Sequence, residues 1–254
     1  MISTTLRRLP SLALFLTLSC GQPGPIDPVR PQDEASLGPL LKETVDEYLI
    51  RVEEQPASAA THGRLGLLYE ANQLTSEAAR SYANALALDP DDPVWNFRLG
   101  IAKVALGDLE EGSARLLTAA DEMPSNAAVH HRIGYLYMDQ GDVERAVASF
   151  RKAVALAPDS AAPLAEASLG EALVAADRPA EAIEPLEHAI QTAPTLKPAL
   201  YAYGLAMRAL GRIDQAEIAL EAGLGAERIM IPHASGADLQ KLGMSYGDDG
   251  VIFA

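Results

Sequence analysis

Residues 127–160 read AAVHHRIGYLYMDQGDVERAVASFRKAVALAPDS, and their spacing decides the fold. It predicts two helices. The first, Ala127 to Asp139, carries Ile133, Gly134 and Tyr137 on one face. The second, Val143 to Leu156, carries Ala146, Phe150 and Ala153 at i, i+4 and i+7. Gly141 breaks the chain between them, and Pro158 stops the second. Neither helix can bury such a stripe alone, so each must lie on the other and the pair on neighbouring pairs.

Those neighbours stand at a period of 34 residues. One period back, Pro93 to Asn126 supplies Leu99, Gly100, Leu116, Ala119 and Pro124, with Lys103 and Gly112 as departures. Two periods back, Ala59 to Asp92 supplies Leu65, Gly66, Tyr69, Ala78, Tyr82, Ala85 and Pro90. Forward, Ala161 and Ala162 form an insertion, after which Pro163 to Leu196 supplies Leu169, Gly170, Leu173, Ala182, Leu186, Ala189 and Pro194. Lys197 to Met230 supplies Tyr203, Gly204, Ala216 and Leu220, with Gly223 as a departure. The pattern resembles the tetratricopeptide repeat, a helix–turn–helix unit. The resemblance covers residues 59–230 as five repeats (59–92, 93–126, 127–160, 163–196, 197–230). It implies an all-α solenoid wound as a right-handed superhelix, with a concave face built from the first helix of each repeat.

The small residues have a physical reason. Two helix backbones approach closely at the Gly of the first helix and the Ala of the second, and residues such as Tyr137 and Phe150 fill the space beside them.

Outside the repeats, residues 1–19 have the form of an export signal: Arg7 and Arg8 precede an apolar run from Leu9 to Leu18, too short to span a bilayer comfortably. The run ends at Cys20, the one cysteine of the chain. A small residue before a lone Cys resembles a bacterial lipobox, with Thr17 where that motif favours Leu. This implies a lipidated Cys20, an exported lipoprotein held on a membrane through its N-terminus, and a protein facing the periplasm; a soluble secreted or periplasmic protein is the alternative. Residues 20–36, rich in Pro, Gly and Gln, are expected as a flexible linker, and 37–58 as a helix capping the array. Residues 231–254 lose the period and are expected as a C-terminal cap or tail, with a short helix over Ser235 to Leu242.

A formal charge of −15 disfavours nucleic-acid partners, since no basic surface can displace counterions from phosphate. Removing residues 1–19 takes away Arg7 and Arg8 and no acidic residue, so the mature chain is more acidic still. No phosphate-binding Gly loop, Cys pair or Gly-x-Ser-x-Gly elbow occurs. His130 and His131 are adjacent on a helix and diverge by about 100°, which prevents chelation of one metal. Asp248 and Asp249 between Gly247 and Gly250 lack the spaced ligands of a calcium loop. The expectation is a protein that is no enzyme, with no cofactor, no metal and no small-molecule substrate.

What remains is binding of another protein. The family resemblance places positions five, nine and twelve of each repeat on the concave face, among them Phe97, Ile101, His131, Tyr135, Met138, Tyr201 and Leu205. A groove so apolar is expected to hold a peptide or amphipathic helix of a partner. Arg64, Arg98 and Arg132 recur with the period; they either read carboxylates on a partner or pair with carboxylates of adjoining helices. Gly63 and Leu67 stand where a carboxylate clamp with Lys and Asn would begin, so that partner class is disfavoured. The layout is similar to that of lipoproteins that help assemble outer-membrane proteins or pilus secretins. The competing expectation is a structural, self-associating protein whose groove is covered by its own tail.

Overall fold

The fold is seen in a computed structural model, which describes residues 24–228, residue 230, and the backbone of 245–246 and 252–253. The expected signal segment, Cys20 and the helix over Ser235 to Leu242 lie outside the described residues. Helix α1 (Pro39–Glu54) stands alone. Five pairs follow: α2 (Ala59–Ala71) with α3 (Thr75–Leu88), α4 (Pro93–Ala105) with α5 (Leu109–Glu122), α6 (Ala127–Asp139) with α7 (Val143–Leu156), α8 (Ala162–Ala175) with α9 (Pro179–Thr192), and α10 (Lys197–Ala209) with α11 (Ile213–Ala222). Near the end, Ser245–Tyr246 pairs antiparallel with Ile252–Phe253.

Each pair packs internally and then on the next, so the chain forms an all-α superhelix rather than a ball. In every pair the first helix buries more of its residues than the second, because it lies between two neighbours. The core is correspondingly a row of clusters, among them one around Tyr69 and Tyr82, one around Phe97 and Ile133, and one running from Tyr135 to Ala206.

The junctions are close approaches of the predicted kind. A Cβ on Gly134 would stand 2.5 Å from the Phe150 ring, one on Gly66 2.6 Å from Tyr82, and one on Gly170 2.4 Å from Leu186. At two of the departures from pattern, Gly112 and Gly223, the near atoms are backbone. A Cβ on Gly112 would lie 2.8 Å from the Val104 nitrogen, and one on Gly223 2.6 Å from the Tyr201 nitrogen. Glycine stands there because backbone meets backbone. Replacing the fully buried Ala146 by Leu should overpack the α6–α7 junction and destabilise by on the order of 1–3 kcal/mol. An unchanged thermal melt for Ala146→Leu would refute this placement.

Each hairpin turns on one residue in the left-handed region: Gly107, Gly141 and Gly211, and in the other two repeats Gln73 and Asp177. The N–H that follows closes the turn onto the preceding helix, as Asp142 does on the Tyr137 carbonyl at 2.9 Å. Asp142 also caps α7 by accepting from the Arg145 N–H at 3.2 Å.

The N-terminal end corrects one expectation. Residues 24–33 form neither helix nor strand, yet they are tied to α1, to the loop after it and to the first repeat. The buried Tyr69 hydroxyl donates to the Val29 carbonyl at 2.6 Å, Ile26 N–H donates to the Pro56 carbonyl at 3.0 Å, and Arg30 pairs with Glu53 at 2.6 Å. A proline-rich segment with no helix or strand of its own leaves its carbonyls available to a buried hydroxyl that requires a partner. Helix α1 buries Val45, Tyr48, Leu49 and Val52 toward α2, as a cap would.

Candidate protein-binding groove

The expected site residues divide into two sets. Phe97 and His131 are 2% and 1% exposed, so they are core and not open lining, and Tyr135 is 3% exposed with Arg228 lying over its ring. Ile101, Met138 and Leu205 are half-buried, and Tyr201 is 43% exposed. The correction has a structural cause. Phe97 packs with Leu116, Val129 and Ile133 inside the second and third repeats. The backbones of α6 and α8 stand apart, and side chains bridge them: His131 Nε2 and the Tyr135 hydroxyl each lie 2.9 Å from Ser168 Oγ. His131, Tyr135 and Phe150 meet edge to face, with ring centres 5.0–5.5 Å apart.

This bridge shapes the local electrostatics. Burial holds the His131 imidazole neutral, its pKa pushed down to about 4, with the Arg132 charge acting in the same direction. Burial, then the Glu171 carboxylate, pushes the Tyr135 hydroxyl above its usual range. Glu171 accepts from that hydroxyl at 3.3 Å, and burial pushes its own pKa up.

The periodic arginines do not make a uniform cationic row. Arg64 is exposed, whereas Arg98 is buried and pairs at 2.9 Å with Glu70 of the preceding repeat, which also accepts from the Tyr82 hydroxyl. Arg132 is half-buried, and burial lowers its pKa.

Several contributing residues were not singled out by sequence reasoning. Trp95 stacks on Tyr82 with ring centres 6.0 Å apart, and a Cβ on Gly63 would lie 2.3 Å from its indole. Gly63 therefore stands where it does because an indole covers it. Arg228 follows α11 and turns back onto the inner face. Its guanidinium carbon sits 4.7 Å above the Tyr135 ring, and its Nη1 lies 2.5 Å from Asp139 Oδ1. Met230 packs against the core cluster of repeats three to five. An open cleft of about 980 Å³ also lies along α7, α8 and α9, lined by the Arg151–Glu181 and His188–Glu166 pairs. Among the described residues no cluster of His, Cys, Asp and Glu could hold a metal, and no helix is long and apolar enough to cross a membrane.

Comparison with known proteins follows the geometry. A family model described as tetratricopeptide repeat matches residues 97–161 and 134–197, and a second so described matches 61–94. The chain belongs to the tetratricopeptide repeat family, whose members are generally binding scaffolds and not enzymes. It is 35% identical over 71 residues to the TPR repeat-containing thioredoxin TTL4 of Arabidopsis thaliana, of whose length it spans 10%. Among solved structures it is similar to YrrB, described as a TPR protein with an unusual peptide-binding site (17% identity, TM-score 0.59, covering 71% of this chain and 92% of that one). It is also similar to MamA (21% identity, TM-score 0.54, 63% and 92%) and to the Cut9–Hcn1 hetero-tetramer of APC/C (21% identity, TM-score 0.60, 73% and 36%). At these identities the likeness is one of fold.

Proposed function

We propose that the chain is a non-enzymatic adaptor that takes an extended segment of a partner protein along its inner face. The observation that carries this reading is the chain's own Arg228, which already lies over Tyr135 and pairs with Asp139 of the first helix α6, with Met230 packed on the adjoining core cluster. A surface that already holds a non-helical stretch of chain through Arg228 has the chemistry to hold another. The peptide-binding description of YrrB agrees with it. The accessible apolar lining is Ile101, Val104, Met138, Tyr201 and Leu205. Alanine at Ile101 and Leu205 together should weaken binding of a partner recovered by crosslinked pull-down at least tenfold, measured by calorimetry. Equal affinity would remove the groove from the account.

In this reading Cys20 is acylated and residues 24–33 hold the first repeat close to the envelope membrane. Labelling with a palmitate analogue should be lost in Cys20→Ser. A second reading, self-association, is favoured by the last helix pair, where Ile213, Ile218 and Leu224 are 51%, 72% and 66% exposed. Mass rising with concentration would support it; one stoichiometric partner supports the adaptor.

A further inference from the structure

We infer that Tyr135, Asp139 and Glu171 form an arginine-reading site, filled in cis by Arg228, and that the partner segment carries an arginine with an apolar residue two positions later. This rests on the groove reading above and names its ligand.

The site is built before anything enters it. The Tyr135 ring is held by His131 and Phe150, with centres 5.2 and 5.0 Å away, and its hydroxyl by Ser168 and Glu171. The ring can therefore present a fixed face to a flat cation, and Arg228 lies 4.7 Å over it. Asp139, one turn further along α6, receives an N–H of the same guanidinium at 2.5 Å. A planar fork that stacks and donates at once fits arginine better than lysine. Glu171, from the next repeat, adds negative charge beside both, and the acidic chain as a whole favours a cationic ligand. Met230 supplies the second anchor, two residues along, against the core cluster.

The tail is well placed to be displaced. The Arg228–Asp139 pair is 42% and 55% exposed, and exposed ion pairs hold weakly. Its hold on the site comes chiefly from being tethered, which for a short linker corresponds to a millimolar effective concentration. A free segment of the same chemistry then sees its apparent affinity reduced by the fraction of molecules in which the site is open.

The test uses the full chain and a fluorescein-labelled peptide of residues 224–232, LGAERIMIP, read by anisotropy. Arg228→Ala should bind it at least tenfold more tightly than wild type. The peptide with its arginine replaced by alanine should lose binding, and Asp139→Asn in the Arg228→Ala background should weaken it at least fivefold. Far-UV circular dichroism matching wild type shows that the variants fold. Equal affinity of wild type and Arg228→Ala, or unimpaired binding of the alanine peptide, would overturn the inference. So would a wild-type dimer that dissociates in Arg228→Ala, since the occupant would then be the tail of a second copy. If the peptide fails while a captured partner still depends on Ile101 and Leu205, the arginine site falls and the groove stands.

Discussion

Phe150→Ala should destabilise the protein by about 3–5 kcal/mol, measured by urea unfolding. The ring is fully buried, fills the space left by Gly134, and touches the rings of Tyr135 and His131 at 5.0 and 5.5 Å. Its loss empties the α6–α7 junction in the middle of the array. Stability in such a fold is close to a sum of repeat and nearest-neighbour terms, so a central defect uncouples the two halves. The unfolding transition should therefore broaden as well as shift. A loss below about 1 kcal/mol with an unchanged slope would mean that the third repeat is not assembled as described.

Stability should also fall as pH is lowered from about 6.5 toward 4, and His131 should carry a measurable share of that fall. Its pKa is about 4 in the folded chain and about 6.5 when unfolded. Between those values the unfolded chain binds a proton that the folded chain does not, so unfolding gains as pH drops. The contribution is complete above the unfolded value, and at most about 3 kcal/mol of it is lost by pH 4. Glu171, with its pKa raised by burial, opposes this in its own range, and His62, lowered by burial, adds to it. The comparison is therefore between slopes. His131→Gln should flatten the dependence of unfolding free energy on pH between 4 and 6.5 relative to wild type. Parallel curves would show that His131 is solvated.

The helices were legible in the sequence because their constraint is local and repeated. Gly134 against Phe150 and Ala146 at the crossing leave little choice of partner face, and the same trio recurs with the period. The bounds of α6 and α7 agree with those read from periodicity. The groove was legible only as a set of positions. Position nine of the third repeat faces inward, but whether Tyr135 is bare or covered depends on Ser168 and Glu171 of another repeat and on Arg228. Arg228 and Asp139 are separated by 89 residues, and no spacing rule connects a residue past the last helix with one in the third repeat. Trp95 left a faint signal: a glycine, Gly63, at a concave position where a side chain is usual. Arg98 shows why periodicity alone misleads, since the same arginine meets Glu70 in one repeat while the residue one period on from Glu70 is Val104.

The binding account is tested most directly by photo-crosslinking. A benzophenone residue at Leu205, on the inner first helix of the last repeat, should capture the partner in cells that express the protein, whereas one at Leu117, exposed on the second helix α5, should not. Capture from Leu117 and none from Leu205 would contradict it.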